Sequence, residues 1–145
     1  MPIPEFLAVR YHDFSCGHRV VGHEGKCKYL HGHNYRVWFS VKADELDDIG
    51  RVIDFSVIKS HLCMWLEDNW DHKFLAWEED PITNKFCSDH IEQLGIVKVP
   101  FNPTAENMGQ HLIEVVGPDM LGGTGVVLVK VKVEETRKCS AEVSL

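Results

Sequence analysis

Residues 35–42 read YRVWFSVK, and their side chains alternate in character along the chain. The odd-numbered positions hold Tyr, Val, Phe and Val, whereas the even-numbered positions include Arg36 and Lys42. Because successive side chains of a strand point to opposite faces, this pattern predicts a strand with one buried face.

Three further strands are expected around this one. Residues 6–14 form a weaker candidate before it, and a long loop rich in Gly, His and Lys joins the two. Residues 125–136 alternate again, with valine at every second position from Val127 to Val133 on one face. Residues 140–144 follow as a short last strand.

A first helix is predicted between the second and third strands. It begins at Asp54 or Ser56, either of which can serve as the N-cap, and its apolar residues recur at helical spacing as far as Trp70. The segment that follows, residues 78–101, is expected to be rich in loops, with at most a short helix at residues 89–94.

A second helix has clearer boundaries. Asn102 with Pro103 or Thr104 marks its start, and Gly117-Pro118 marks its end. The order β-β-α-α-β-β places strands and helices in separate blocks. This order predicts a single α+β domain over residues 1–145, with an antiparallel sheet and both helices on one side.

The composition excludes several classes of protein. Of the 145 residues, 44% are hydrophobic, which argues against disorder. No apolar stretch approaches the roughly 18 residues that cross a bilayer, and the first residues lack the pattern of a signal peptide, so we expect a cytoplasmic protein with no membrane contact. The five cysteines include no CxxC pair, which makes a disulfide framework a poor interpretation.

Charge is distributed unevenly along the chain. The net charge is −7 overall, but residues 1–42 carry six Lys and Arg against three Asp and Glu. The basic residues are spaced singly, so nucleic acid is not expected as a partner. Five of the nine histidines also lie in this basic third, where an anion site beside a metal site is conceivable.

The segment HGH at residues 31–33 gives the sharpest chemical signal. In extended geometry His31 and His33 point to the same face, which continues into the apolar face of the strand. Two neighbouring buried imidazoles are most simply satisfied by a divalent metal, with His18 as the third ligand. Three nitrogen ligands and an open fourth position are typical of catalytic zinc sites. The alternative interpretation is that these are loop histidines exposed to solvent.

Cys27 lies four residues before His31 and between two lysines. It either completes a closed zinc site of one thiolate and three imidazoles, or stands free as a thiolate whose pKa Lys26 and Lys28 lower. Spacing alone does not decide between these interpretations.

Two carboxylates are further candidates. Glu135 falls in register with the valine face of the third strand, where a carboxylate needs hydrogen-bond donors such as the adjacent N–H groups of a flat heterocycle, unless the strand has ended and Glu135 is solvated. Asp71 and His72 form either a charge pair at a helix end or a general acid/base with its orienting carboxylate.

Six motifs in order resemble the family of 6-pyruvoyl-tetrahydropterin and 6-carboxytetrahydropterin synthases over almost the whole chain. They are FSCGHRV (14–20), CKYLHGHNY (27–35), RVIDFSVIK (51–59), WDHKFL (70–75), NPTAENM (102–108) and VKVEET (131–136). The resemblance implies a tunnelling fold, a four-stranded antiparallel sheet with two helices on one face. It also implies a homo-oligomer of trimers whose strands close a barrel, commonly stacked into hexamers, with active sites at subunit interfaces.

The resemblance also implies roles for individual residues. Zinc is the implied cofactor, and Cys27 is implied to be an acid/base thiol and not a ligand. Asp71 and His72 would complete a proton relay. Glu135 would anchor the pterin ring, and Thr104 and Glu106 would help to hold it. The implied zinc ligands are His18, His31 and His33.

The implied substrate is 7,8-dihydroneopterin triphosphate, a pterin whose polyanionic chain gives the basic third a purpose. Three residues separate Cys27 from HGH, as in the bacterial branch that makes 6-carboxytetrahydropterin for queuosine and other deazapurines. The favoured products are therefore 6-carboxytetrahydropterin, acetaldehyde and triphosphate. The alternatives are a 6-pyruvoyl-tetrahydropterin synthase of the biopterin pathway and a non-catalytic, zinc-containing pterin-binding protein.

Overall fold

Six strands form one mixed sheet in the computed structural model, which describes residues 2–145 except for the side chain of Cys87. The spatial order of the strands is β4-β3-β1-β2-β5-β6. Pairing is antiparallel among β1, β2, β5 and β6, whereas β3 runs parallel to β1 and β4 runs parallel to β3. The strands are β1 (Ala8–His18), β2 (His31–Lys42), β3 (Lys73–Trp77), β4 (Ile96–Val99), β5 (Val127–Glu134) and β6 (Ser140–Ser144).

Three helices accompany the sheet, and two of them contain a wide π-helical turn. A single 3₁₀ turn, Lys26–Lys28, lies in the loop between β1 and β2. We label the helices α1 (Phe55–Ile58, the π turn Lys59–Cys63, and Met64–Asn69), α2 (Pro81–Cys87) and α3 (Ala105–His111, the π turn Leu112–Val116, and Gly117–Leu121). None of the helices described is both long and apolar enough to cross a membrane.

The predicted α+β fold and its four antiparallel strands are confirmed, but the sheet gains two parallel strands at one edge. β3 and β4 contain only five and four residues, and such short apolar runs carry no readable periodicity. The helix expected at residues 89–94 is wrong, because turns lie there and α2 forms earlier. Its start was signalled by Asp80 before Pro81, an N-cap followed by proline at the first turn.

α3 runs four residues past its predicted end. Pro118 lacks an amide hydrogen, but it lies at the start of the last helical segment, directly after the π turn. The chain therefore continues as a helix to Leu121.

A β-bulge divides the valine face of β5. Ser40 pairs with Lys130 and Val41 with Leu128, so Val129 is the extra residue. As a result Leu128 is buried and Val127 is exposed, contrary to the alternation expected there. Beyond the bulge, Val131 and Val133 return to the buried face.

One hydrophobic core lies between the sheet and helices α1 and α3. Phe14, Tyr35 and Phe39 line the sheet side, and they pack against helix residues such as Leu66 and Met108. Asp54 accepts a hydrogen bond from the Ser56 amide and so caps α1, as predicted. The core holds both helices against the end of the sheet at which the histidines gather.

Candidate active site

The three predicted metal ligands come together where β1 ends and β2 begins. His18 pairs directly with His31 across the two strands, and their ring centroids are 4.5 Å apart. The His33 ring lies 4.9 Å from His31 and 5.2 Å from His18. One nitrogen of each ring and one carboxylate oxygen of Glu135 all lie within 4.8 Å of one another.

Backbone carbonyls fix the orientation of two of the imidazoles. Nδ1 of His18 donates to the carbonyl oxygen of Pro103 at 2.6 Å, and Nδ1 of His31 donates to that of Tyr29 at 2.7 Å. Because a carbonyl only accepts, the proton of each neutral ring lies on Nδ1. Nε2 then carries a lone pair, and metal-binding histidines use this same arrangement.

The donor atoms of this cluster fit a divalent metal such as zinc. Nε2 of His31 is buried without a hydrogen-bond partner among the described residues, and Nε2 of His33 has beside it only the carboxylate of Glu135, which when ionised cannot donate a hydrogen bond. Burial, as the largest effect, lowers the pKa of His33 and so favours its neutral form. Buried acceptor atoms without donors are costly unless a cation satisfies them.

Glu135 places a carboxylate against these nitrogens. Its Oε1 lies 3.2 Å from Nε2 of His18 and 3.1 Å from Nε2 of His33. Hydrogen bonding from a protonated His18 ring is the largest cause that lowers the pKa of Glu135, and it outweighs the opposing effect of burial. Glu135 lies directly after the end of β5 and is half-buried, and its carboxylate reaches the buried side of the sheet beside His18.

Asp71 and His72 face an open groove of about 1100 Å³ that Glu135 and His33 also line. Oδ2 of Asp71 lies 2.8 Å from Nδ1 of His72, and Oδ1 accepts the amide of Ser15 at 3.0 Å. Burial alone would raise the pKa of Asp71, but these hydrogen bonds hold it below its ordinary value. The charged carboxylate therefore keeps the proton on Nδ1, and Nε2 of the exposed His72 is free to exchange protons.

Cys27 lies in the 3₁₀ turn, half-buried, and its sulfur is not among the four mutually close ligand atoms. The interpretation in which Cys27 closes the site with three imidazoles therefore does not match the geometry. Cys16 pairs with His33 across the two strands. Burial raises the pKa of Cys16 to about 12, so its thiol stays protonated.

Thr104 and Glu106 do not line the groove described above. Oγ1 of Thr104 accepts the amide of Asn107 at 3.1 Å and so caps α3. Glu106 is exposed on the first turn of the same helix. Their role in holding a pterin stays a prediction.

The hydroxyl group of Tyr35 also lies in the site. The hydroxyl of Tyr35 lies 3.3 Å from Nε2 of His18 and donates to Oε1 of Glu135 at 3.4 Å. Burial, the largest cause, raises the pKa of Tyr35, so the hydroxyl keeps its proton. Its position two residues after His33 signalled this placement, because alternate residues share a face.

The side chain of Asn102 makes two hydrogen bonds to the loop between β1 and β2. It accepts the amide of Val21 at 3.0 Å and donates to the carbonyl of Val21 at 2.9 Å. Nothing in the sequence signals this contact, because the two residues are 81 positions apart.

Comparisons with known proteins identify the family of this chain. The profile of the 6-pyruvoyl tetrahydropterin synthase family matches residues 7–145. A 6-carboxy-5,6,7,8-tetrahydropterin synthase of Rickettsia felis is 35% identical over 134 residues, covering 90% of this chain and 94% of its own.

Two solved structures share the fold. A protein of Wolinella succinogenes has a TM-score of 0.85 at 24% identity, covering 98% of this chain and 99% of its own. The 6-pyruvoyl tetrahydropterin synthase of Caenorhabditis elegans has a TM-score of 0.70 at 23% identity, covering 100% and 99%. The chain therefore belongs to the 6-pyruvoyl tetrahydropterin synthase family, whose members are lyases of pterin biosynthesis.

Proposed function

We propose that this chain is a zinc-dependent 6-carboxy-5,6,7,8-tetrahydropterin synthase. It would convert 7,8-dihydroneopterin triphosphate and water into 6-carboxytetrahydropterin, acetaldehyde and triphosphate, a step toward queuosine and other deazapurines. One observation supports this most strongly. The Nε2 atoms of three histidines converge beside a groove that also holds the Asp71–His72 pair. The name of the Rickettsia felis relative favours the carboxy product.

His18, His31 and His33 would hold the zinc ion through Nε2. Backbone carbonyls anchor the Nδ1 protons of His18 and His31. Bound zinc supplies Lewis acidity toward the hydroxyl oxygens of the substrate side chain. Tyr35 donates to Glu135 and keeps its carboxylate directed at this centre.

The remaining residues bind the pterin and move protons. The carboxylate of Glu135 has acceptor positions for two adjacent N–H groups of a pterin ring. Asp71 orients His72, whose Nε2 faces solvent at the groove and exchanges a proton with substrate. Cys27, flanked by Lys26 and Lys28, acts as the second acid/base group.

The triphosphate would lie near the basic residues of the first third of the chain. Arg36 is held by Asp13 at 2.7 Å and Arg19 by Asp80 at 2.6 Å. Lys26 and Lys28 are therefore the better candidates. We also propose that the protein works as a homo-oligomer of trimers, as the family resemblance implies, because the open groove that His72 lines is accessible to a neighbouring subunit.

Product analysis tests this proposal. The zinc-loaded protein is incubated with 7,8-dihydroneopterin triphosphate, and the pterin product is identified by mass. We expect 6-carboxytetrahydropterin with acetaldehyde, and no product from a Cys27→Ala variant that retains its zinc. A 6-pyruvoyl product would identify the biopterin-type reaction instead. Tight pterin binding without triphosphate release would identify a pterin-binding protein.

A further inference from the structure

The segment between β3 and β4 takes no part in the site described above, yet it is joined to the loop that carries Cys27. Its first anchor is Asp80, the N-cap of α2, whose side chain is only 1% exposed. Nε of Arg19 donates to Oδ2 of Asp80 at 2.6 Å, and Nη2 donates to Oδ1 at 3.2 Å. This two-pronged geometry is the strongest form of an ion pair between side chains.

The same guanidinium reaches the turn that holds the thiol. Nη1 of Arg19 donates to the carbonyl oxygen of Lys28 at 2.8 Å. The amide of the next residue, Val20, donates to the carbonyl of Cys27 at 2.7 Å. The consecutive carbonyls of Cys27 and Lys28 are thus bonded from the two residues that follow His18.

Burial makes this ion pair sensitive to the loss of either partner. Burial alone would raise the pKa of Asp80, but the hydrogen bonds from Arg19 and Thr83 hold it below its ordinary value. Asp80 is therefore charged at neutral pH and needs the guanidinium beside it. Lysine cannot replace this guanidinium, because a single ammonium group does not present a planar fork to Asp80 and a third N–H to Lys28.

We propose that Arg19 and Asp80 are positioning residues for Cys27, and that α2 sets the location of the thiol through their ion pair. Neither residue needs to touch substrate for this role. The inference rests on the proposed function in one respect, since it takes Cys27 to be an acid/base group in the reaction. The proposal also assigns the segment between β3 and β4 a role in positioning Cys27, which its sequence alone does not indicate.

Hydrogen exchange on the zinc-loaded full chain tests the proposal. The variants are Arg19→Lys, Asp80→Asn and, as a matched control, Thr83→Val. Thr83→Val removes the 2.5 Å hydrogen bond from Oγ1 of Thr83 to Asp80 but leaves the ion pair with Arg19 intact. Peptide mapping after brief treatment with iodoacetamide reports the accessibility of Cys27 in the same samples.

We expect Arg19→Lys and Asp80→Asn to speed exchange in residues 19–30 by at least about five-fold. Alkylation of Cys27 should also become several-fold faster, while the zinc content stays unchanged. In turnover, kcat should fall about ten-fold or more with little change in KM, because a displaced acid/base group affects the chemical step. Thr83→Val should speed exchange only within residues 81–87.

The proposal would be overturned if residues 19–30 of Arg19→Lys exchanged at the same rate as in the wild-type protein. It would also be overturned if Thr83→Val speeded exchange in that segment as much as Arg19→Lys does. If Asp80→Asn does not fold, Arg19→Lys alone decides, because it keeps a positive charge beside Asp80. Failure of the proposed function is a separate result. It would appear as wild-type protein that does not convert the pterin triphosphate, whereas exchange and alkylation need no substrate.

Discussion

The imidazole of His18, the last residue of β1, donates its Nδ1 proton to the carbonyl oxygen of Pro103 at 2.6 Å. Pro103 directly precedes Thr104, the N-cap of α3, so this hydrogen bond joins the end of a strand to the start of a helix. Its effect is to direct Nε2 of His18 toward His33 and Glu135. The proposed metal centre is therefore built from positions that the fold itself fixes.

Replacement of a single cluster histidine should strongly weaken zinc binding. We expect His31→Ala to lower zinc affinity by more than about 100-fold, because it removes one of three nitrogen ligands. Zinc content is measured by mass spectrometry of the dialysed protein. His12→Ala is the control, because Nε2 of His12 lies 2.7 Å from Glu67, outside the cluster, and this variant should keep its zinc. Full zinc occupancy in His31→Ala would contradict the assignment.

Replacement of Glu135 should separate pterin binding from metal binding. We expect Glu135→Gln to keep its zinc, since three histidines remain, but to bind a pterin about 30-fold more weakly because a charged acceptor is lost. Fluorescence titration with neopterin and metal analysis measure the two properties. Glu134→Gln changes the neighbouring residue, which ends β5, and serves as the control. Loss of zinc from Glu135→Gln would instead identify Glu135 as a fourth ligand.

The alternation of β2 was sufficient to predict much of the site. Because the side-chain period of a strand is two, His31, His33 and Tyr35 had to share a face with the core residue Val37. The same reasoning, continued one residue past the end of β5, placed the carboxylate of Glu135 on the side of the sheet that holds His18. It succeeded although the β-bulge at Val129 reverses the face of the residues before it, because Glu135 lies after the bulge.

The features that sequence reasoning missed depend on contacts between distant segments. Arg19 and Asp80 are 61 residues apart, and no local pattern marks either as the partner of the other. β3 becomes a strand because the edge of β1 offers it backbone partners, with Cys16 paired to Lys73, and β4 in turn pairs with β3. Local propensity describes neither kind of contact, since both arise only when the chain is folded.

The backbone at His72 should be strained in a measurable way. Its φ is +59°, in the left-handed region that side chains disfavour by about 1–2 kcal/mol. We expect the free energy of unfolding of His72→Gly to exceed that of His72→Ala by about 1 kcal/mol, because only glycine relieves the strain. Both variants lose the contact with Asp71, so their difference isolates the backbone. Urea denaturation measures it, and equal stabilities would contradict the inference.

His111 should make stability depend on pH below neutrality. Its ring packs between Phe101 at 5.1 Å and Trp70 at 6.1 Å, and burial lowers its pKa below the ordinary 6.5, although Asp119 opposes the shift. The unfolded chain therefore binds a proton at higher pH than the folded protein does. Stability should fall as the pH drops below 6.5, and the loss should continue down to the folded-state pKa.

The variant His111→Phe keeps an aromatic ring but cannot titrate, so it should lose this component. Between pH 7.5 and 5.5 we expect the free energy of unfolding to fall more in the wild-type protein than in the variant. The difference should be less than about 1 kcal/mol, because His111 keeps partial contact with water. Both proteins carry the same cluster histidines, so titration of the metal site cancels in the difference. His90→Phe, at an exposed position, controls for the removal of one histidine. Parallel pH profiles for wild type and His111→Phe would show that His111 is not held neutral by its aromatic neighbours.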